Sequence, residues 1–267
     1  MPGTSTHRHP KGFDIVFDEA THTYTTTFVA PAIPGHPTPQ HVVKYTSGTT
    51  FIHKFTPPFD KDGKIAERKA RERGVSPDQI RFEWKQKGVE ATEMGTRVHE
   101  TCEDILHGRQ QFRNQPQSPH ERNLMSSGWR ACQFILKNYE IVGIEQMVGD
   151  VELAIAGTMD LLAKRKSDGR WTIFDWKTNA KIDFENRWGG RMLHEIAHLH
   201  DCSAVHYGLQ LNLYEYIMKH SGYLPRETPF DRAIIHLADD GPHPYPLPDY
   251  QIEVRDMVIH DLLEVPF

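Results

Sequence analysis

Trp171-Thr172-Ile173-Phe174-Asp175-Trp176-Lys177 is the stretch on which the fold turns. In a strand, alternate side chains share a face. Ile173, Asp175 and Lys177 therefore point one way, and Thr172, Phe174 and Trp176 the other. An Asp and a Lys on one face of an otherwise apolar strand are costly to bury unless they are paired or bind a metal. The run from Met159 to Arg165 reads as the preceding strand, joined through Ser167-Asp168-Gly169. A four-residue loop over 166–169 sets Asp160 directly opposite Asp175. A two-residue turn at Asp168-Gly169 sets Leu162 opposite Asp175 and makes Asp160 its diagonal neighbour. Both registers put the two carboxylates on one face, within reach of each other. Such a pair repels unless a cation lies between its members or one is protonated. Oxygen ligands of this kind suit Mg²⁺ or Mn²⁺.

Two helices bring further polar groups. Ala91, Met94, Val98, Cys102, Ile105 and Leu106 recur with the helical period in a helix ending at Gly108. His99 lies one turn after Gly95 on the inward side of that helix, where it can offer a nitrogen ligand to the same metal. A second helix runs from about Ala204 to His220. In it Gln210 and Tyr214, four apart, share a face beside an apolar stripe of Leu209, Leu213, Tyr216 and Ile217.

Residues 13–29 alternate apolar and polar side chains around a turn-like Asp18-Glu19-Ala20-Thr21-His22, a β-hairpin pattern. Met1 to Gly12 reads as a loose tail, and 30–41, with four prolines and a glycine, as a loop. Asp62 to Arg73 is helical and stops at Gly74; Ser76-Pro77 then offers an N-cap and a proline at the first helical position. A helix covers 120–140. Residues 147–176 are strand-rich, with turns expected at Gly157 and at Ser167-Asp168-Gly169. The proline-rich C-terminal part holds one apolar strand, 233–237, and a helix at 249–263. Helices, a strand meander, then a helix and a strand make an α/β arrangement with helices packed on a mixed sheet. The division expected is a tail and hairpin extension over 1–60 and one compact unit over 61–267.

Composition narrows the function. Hydrophobic residues make up 38% and charged residues 25% of the 267, ordinary for a globular protein with a sizeable core. No run approaches the roughly 18 apolar residues of a membrane span, and the N-terminus has no apolar stretch of the secretory kind. Three widely spaced cysteines, Cys102, Cys132 and Cys202, exclude a disulfide framework or a four-cysteine metal site and fit a reducing, intracellular compartment. The net charge of −5 does not advertise nucleic-acid binding, yet contact with phosphates needs only a local positive patch.

The series G-x-x-x-H (Gly95 to His99), G-x-x-D (Gly157 to Asp160), D-W-K-T (Asp175 to Thr178) and Q-x-x-x-Y (Gln210 to Tyr214), in that order, resembles the RecB-like branch of the PD-(D/E)XK nuclease superfamily. The likeness runs from about residue 90 to 218. It implies a restriction-endonuclease-like mixed sheet flanked by helices, and metal-dependent cleavage of DNA, more as an exonuclease than an endonuclease. It also implies that His99, Asp160 and Asp175 bind metal with the Trp176 carbonyl, and that Lys177 orients or deprotonates the attacking water. Gln210, Tyr214, Arg97 and Thr178 would contact DNA or brace the site. The segment Phe17 to Asp60 resembles an N-terminal region of viral and phage exonucleases in this group, acting in DNA recombination, repair or replication. Glu152, eight residues before Asp160, is a candidate further acid.

Taken singly, each motif has a plain structural reading: a turn aspartate, an edge-strand ion pair, a core histidine, a helix surface. Their joint occurrence in order argues otherwise. One rival pattern is His194-Glu195-Ile196-Ala197-His198, which fits the H-E-x-x-H of zinc metalloproteases. A metzincin continuation would need Gly at 201 and His at 204, where Asp201 and Ala204 stand. The other alternative, a DNA-binding module without catalysis, sits poorly with an intact Asp–Asp–Lys set.

Overall fold

The computed structural model describes residues 3–29, 40–60 and 62–264. The expected loop at 30–41 falls almost wholly outside them. Four strands come first: β1 (Thr4–Arg8), β2 (Asp14–Asp18), β3 (Thr23–Val29) and β4 (Gln40–Ser47). Four helices follow: α1 (Gly48–His53), α2 (Lys64–Arg73), α3 (Pro77–Leu106) and α4 (Pro119–Asn138). Then come β5 (Tyr139–Asp150), β6 (Ile155–Arg165), β7 (Trp171–Lys177) and a 3₁₀ turn at His194–Ile196. The chain continues through α5 (Ser203–His220), β8 (Phe230–Ala238), β9 (Gly241–Pro246) and α6 (Gln251–Glu264). The nine strands form one mixed sheet in the order β1-β2-β3-β4-β6-β7-β8-β9, with β5 on the other edge of β6. This is the helix-flanked mixed sheet expected of a restriction-endonuclease-like fold, with the N-terminal strands as hairpins.

The register of β6 with β7 positions the site. Leu161 pairs with Phe174 and Lys164 with Trp171, the register of a four-residue loop, so the continuation sets Asp160 opposite Asp175. On the same edge, β6 pairs with β4 only through Ile155 and Ala156. Residues 157–160 thus lie in a gap between β4 and β7, where β6 has no strand neighbour on that edge.

Two cores cover the two faces. Ile173, Leu162 and Ile234 pack with Phe51 of α1, Leu209 and Leu213 of α5 and Val254 of α6. Phe174, Trp176, Leu161 and Ile235 pack with Val98 and Cys102 of α3 and Leu124 and Cys132 of α4. The strand Trp171–Lys177 therefore divides by parity as its sequence requires. Its neighbour β6 carries Asp160 between Met159 of the first core and Leu161 of the second.

The sequence reading of three segments needs correction. Residues 4–8 are not a loose tail but β1, paired antiparallel to β2 from Thr4↔Asp18 to Arg8↔Asp14. This polar strand has no apolar alternation to betray it; backbone pairing forms it, and buried His9 stacks on Phe13 at 4.1 Å just beyond its end. Gly157 makes no turn; it lies within β6, glycine there because a Cβ would stand 2.4 Å from Tyr214. The proline-rich segment 241–246 is a strand, β9. Pro242, Pro244 and Pro246 alternate, so their missing N–H groups all fall on one edge, which an edge strand tolerates.

Candidate active site

At the end of the β6–β7 ladder, the Asp160 carboxylate takes over the role of a strand neighbour. Its Oδ2 accepts from the Trp176 backbone N–H at 2.8 Å. From α3, His99 Nδ1 comes to 3.4 Å of the same oxygen. On β7, Lys177 forms an ion pair with Asp175, and its Nζ stands 4.5 Å from the ring centroid of Tyr207 on α5, a cation–π distance. Asp175 is buried, and its Oδ2 is the oxygen that the Lys177 ammonium meets. Sequence patterning aimed His99, Asp160, Asp175 and Lys177 at one place, and the structure brings all four together.

The electrostatics follow from four ionisable groups sharing little water. Burial alone would lower the His99 imidazolium, but the Asp160 charge and hydrogen bond outweigh it, and its pKa rises. Burial raises the Asp160 carboxyl, yet His99 and then Lys177 hold it below the ordinary carboxylate range. Asp175 goes the other way: burial and the neighbouring Asp160 lift it despite Lys177. Lys177 is held protonated, with Asp175 and Asp160 overcoming the cost of burial. Two carboxylates side by side are thus balanced by one lysine and one histidine.

The donor set suits a divalent cation. Asp175 Oδ2 is buried and neutralised by the Lys177 ammonium alone, and its carboxylate, beside that of Asp160, offers hard oxygen donors that a divalent cation would take. Asp160, His99 and the Trp176 carbonyl supply the mixed oxygen and nitrogen ligands around it. Among the described residues, no three His, Cys, Asp or Glu side chains are pre-set around a single point, so in this arrangement Lys177 alone answers the charge of Asp175.

The remaining sequence candidates have distinct places. Tyr214 is buried, its hydroxyl accepting from Gln210 Nε2 at 2.9 Å. Its ring fills the space that Cβ atoms at Gly157 and Gly48 would need, so Gln210 and Tyr214 brace the gap in the sheet. Burial pushes the Tyr214 phenol well above its ordinary value. Thr178 lies against Gly95, whose Cβ would sit 3.1 Å from Thr178 Oγ1. Both line a cavity of about 330 Å³ with Thr92, Thr96, His99 and Asn179. Arg97 is directed away, in a two-pronged bond to Glu121 of α4 at 2.7 and 3.3 Å. Glu152 is not brought to the site; it sits in the turn after β5 in an exposed pair with Lys11.

Two residues escaped sequence reasoning. Glu145 lies on β5 opposite Asp160, where the ladder steps from Gln146↔Met159 to Ile144↔Leu161. Its φ of 50° is the left-handed region, uncommon for a residue with a side chain and a mark of local strain. Crowding by protein atoms and then the Asp160 charge push its carboxyl up to about 8, against the pull of His99. A lone Glu in an alternating strand looks like a solvated face, so no sequence signal pointed to it. Tyr207 lies beneath Lys177, its hydroxyl donating to Asn179 Oδ1 at 3.0 Å; its place one turn before Gln210 was the available hint.

The H-E-x-x-H segment does not build a zinc site. Only His194–Ile196 is helical, as a single 3₁₀ turn, so the two histidines do not share an α-helical face. His194 lies tilted against His260 at 4.3 Å between centroids, whereas His198 pairs with Glu253 at 3.2 Å.

Among known families, the model described as the PD-(D/E)XK nuclease superfamily matches residues 69–257. No curated protein matches the chain significantly. The matched span runs from the middle of α2 to the middle of α6 and takes in His99, Asp160, Asp175 and Lys177.

Proposed function

This chain belongs to the PD-(D/E)XK nuclease superfamily, and from that premise we propose that it is a Mg²⁺- or Mn²⁺-dependent deoxyribonuclease, RecB-like in its motifs, that degrades DNA from an end. The observation that carries the reading is the convergence of Asp160, Asp175, Lys177 and His99, with the buried Asp175 carboxylate neutralised by Lys177. Asp160, Asp175, His99 and the Trp176 carbonyl would hold the cation. When bound, it lowers the pKa of water and offsets charge that builds on the phosphate oxygens.

The protein's own groups do the rest. Lys177, held cationic by Asp175 and Asp160, sits where it can orient the attacking water and adds positive charge beside the phosphate. Tyr207 fixes the lysine from below. Water oxygen bonds to phosphorus and gives up a proton to solvent, the P–O bond to the leaving strand breaks, and the departing oxygen takes a proton from solvent. Gln210 and Tyr214 keep the gap between β4 and β7 open at its proper width. No helix among the described residues is long and apolar enough to cross a membrane.

The test is digestion of end-labelled linear and closed circular DNA with Mg²⁺, Mn²⁺ or EDTA. Metal-dependent loss of linear DNA alone is expected. Asp175→Ala and Lys177→Ala should each lose cleavage by at least a hundredfold, an effect of the size seen when one group stabilising transition-state charge is removed, while melting as folded proteins. Wild-type turnover in either variant would sink the site assignment. Cutting of circles would make the enzyme an endonuclease, and binding without cleavage under any metal would make it a binding module.

A further inference from the structure

The N-terminal strands β1–β3 lie outside the segment that the family model matches, residues 69–257, yet they wall the site. A groove of about 590 Å³ has Phe17, His22 and Tyr24 on one side, α3 with His99 on the other, and Glu145 and Asp160 along it. That volume is in the range of sites for small molecules, roughly 300–1,000 Å³. The wall is tied to the catalytic strand: Tyr24 Oη and Thr158 Oγ1 are 2.9 Å apart, two residues before Asp160. Phe17 stacks on Tyr24 at 4.5 Å between centroids, and His22 meets Phe17 edge-on at 5.7 Å. His22 is exposed and Phe17 half-buried, so both present ring surface to the groove.

The charge of the lining selects what can enter. Glu19, Glu100 and Glu103 join Asp160 there, against Arg113 and His99, and the Glu145 carboxyl, pushed up to about 8, adds a polar group rather than a full charge. Arg113 is already committed, to Asp104 at 2.8 Å, Glu103 at 2.5 Å and the Glu100 carbonyl at 3.0 Å. Like charges repel, so beyond the end of the groove at Asp160 and His99, where a cation would be held, a strand cannot run on with its phosphates against Glu19, Glu100 and Glu103. An uncharged base can enter. Its exocyclic amine, or the ring N–H of thymine, would donate to carboxylates, and its π-face would stack on aromatic rings, as bases do on single-strand-binding surfaces.

Resting on the nuclease reading above, we propose that the N-terminal sheet and α3 form a subsite for the base of the terminal nucleotide of a DNA strand. The acidic lining admits one base and rejects a continuing backbone, which places a strand end against His99 and Asp160. The extension thus makes this chain act from ends.

The experiment compares two linear duplexes with divalent metal, one with intact terminal nucleotides and one whose terminal nucleotides on both strands are abasic. Wild type should cleave the intact ends roughly tenfold faster in kcat/KM and, in EDTA, bind them more tightly by a similar factor, the scale of one base–aromatic stack. Phe17→Leu with His22→Ala should bring both ratios to about one while the rate on abasic ends stays unchanged. His22→Ala alone, in an exposed turn, should lower the ratios partway without altering thermal unfolding. Equal rates and affinities for both duplexes in wild type, or unchanged ratios in the double variant, would overturn the subsite. No cleavage of either duplex would instead overturn the nuclease reading.

Discussion

Gly157 shows how closely side-chain size is fitted at this site. It stands in the gap of β6, and the Tyr214 ring occupies the volume of the missing Cβ, with Gly48 closing the far side. The ring cannot swing away, since Tyr214 is buried and bonded to Gln210. Gly157→Ala should therefore destabilise the fold by about 1–3 kcal/mol, the usual cost of overpacking, as read by denaturant unfolding. Adding Tyr214→Leu should recover part of that loss. A Gly157→Ala protein as stable as wild type would contradict the packing described. Nearby, Asp160 and Glu152 illustrate why spacing alone is a poor guide. Asp160 stands mid-strand in β6 beside the gap, whereas Glu152 lies in the turn before β6, which carries it out to Lys11.

Among the elements, α3 does two jobs. Its first half packs on α2 through Ile80 and Trp84, and its second half carries His99 and the Val98–Cys102 core face. Ser76 caps it, accepting from Gln79 N at 3.2 Å, and Pro77 starts it. Its C-terminal end is secured by Asp104, fully buried, which takes the Arg113 N–H at 2.7 Å, Arg113 Nε at 2.8 Å and the Arg109 guanidinium. Burial would raise the Asp104 carboxyl, but these donors hold it below the ordinary value. A carboxylate with a depressed folded pKa stabilises fully above its unfolded value, about 3.9, and loses that contribution as pH falls through the folded value. Asp104→Ala should cost about 1–3 kcal/mol at neutral pH, with the gap to wild type closing in acid. A gap in melting temperature that does not depend on pH would refute the charge-based account. The same change should loosen Arg113 beside the groove.

For the molecule as a whole, the sheet carries an electrostatic cost at its centre, because Asp160 and Asp175 face each other with only Lys177 and His99 to balance them. Binding a cation to the folded state alone stabilises it by mass action, about 2.7 kcal/mol at a hundred times the dissociation constant. Mn²⁺ at that excess should raise the melting temperature by about 5–10 °C. Asp175→Asn should melt higher than wild type without metal and lose the Mn²⁺ response. A wild-type protein indifferent to Mn²⁺ would remove the metal from the proposal.

Much of this architecture could be read from the chain. The parity of Trp171–Lys177, the cap at Ser76, the stop at Gly74 and the helical period around His99 and Gln210 are local signals, set by covalent geometry and by the alternation of apolar side chains. They placed α3, α5, β6 and β7 and put Asp160 and Asp175 on a common face in either register. Which register holds, that β4 leaves a gap on β6, and that Glu145 lies opposite Asp160 were decided by hydrogen bonding between distant segments. So were the strand at 4–8 and the proline-bearing β9, which exist because a neighbouring backbone supplies their partners. The aromatic wall of the groove is of the same kind. Phe17 and His99 are far apart in the chain, and only closure of the sheet sets them on two sides of one space.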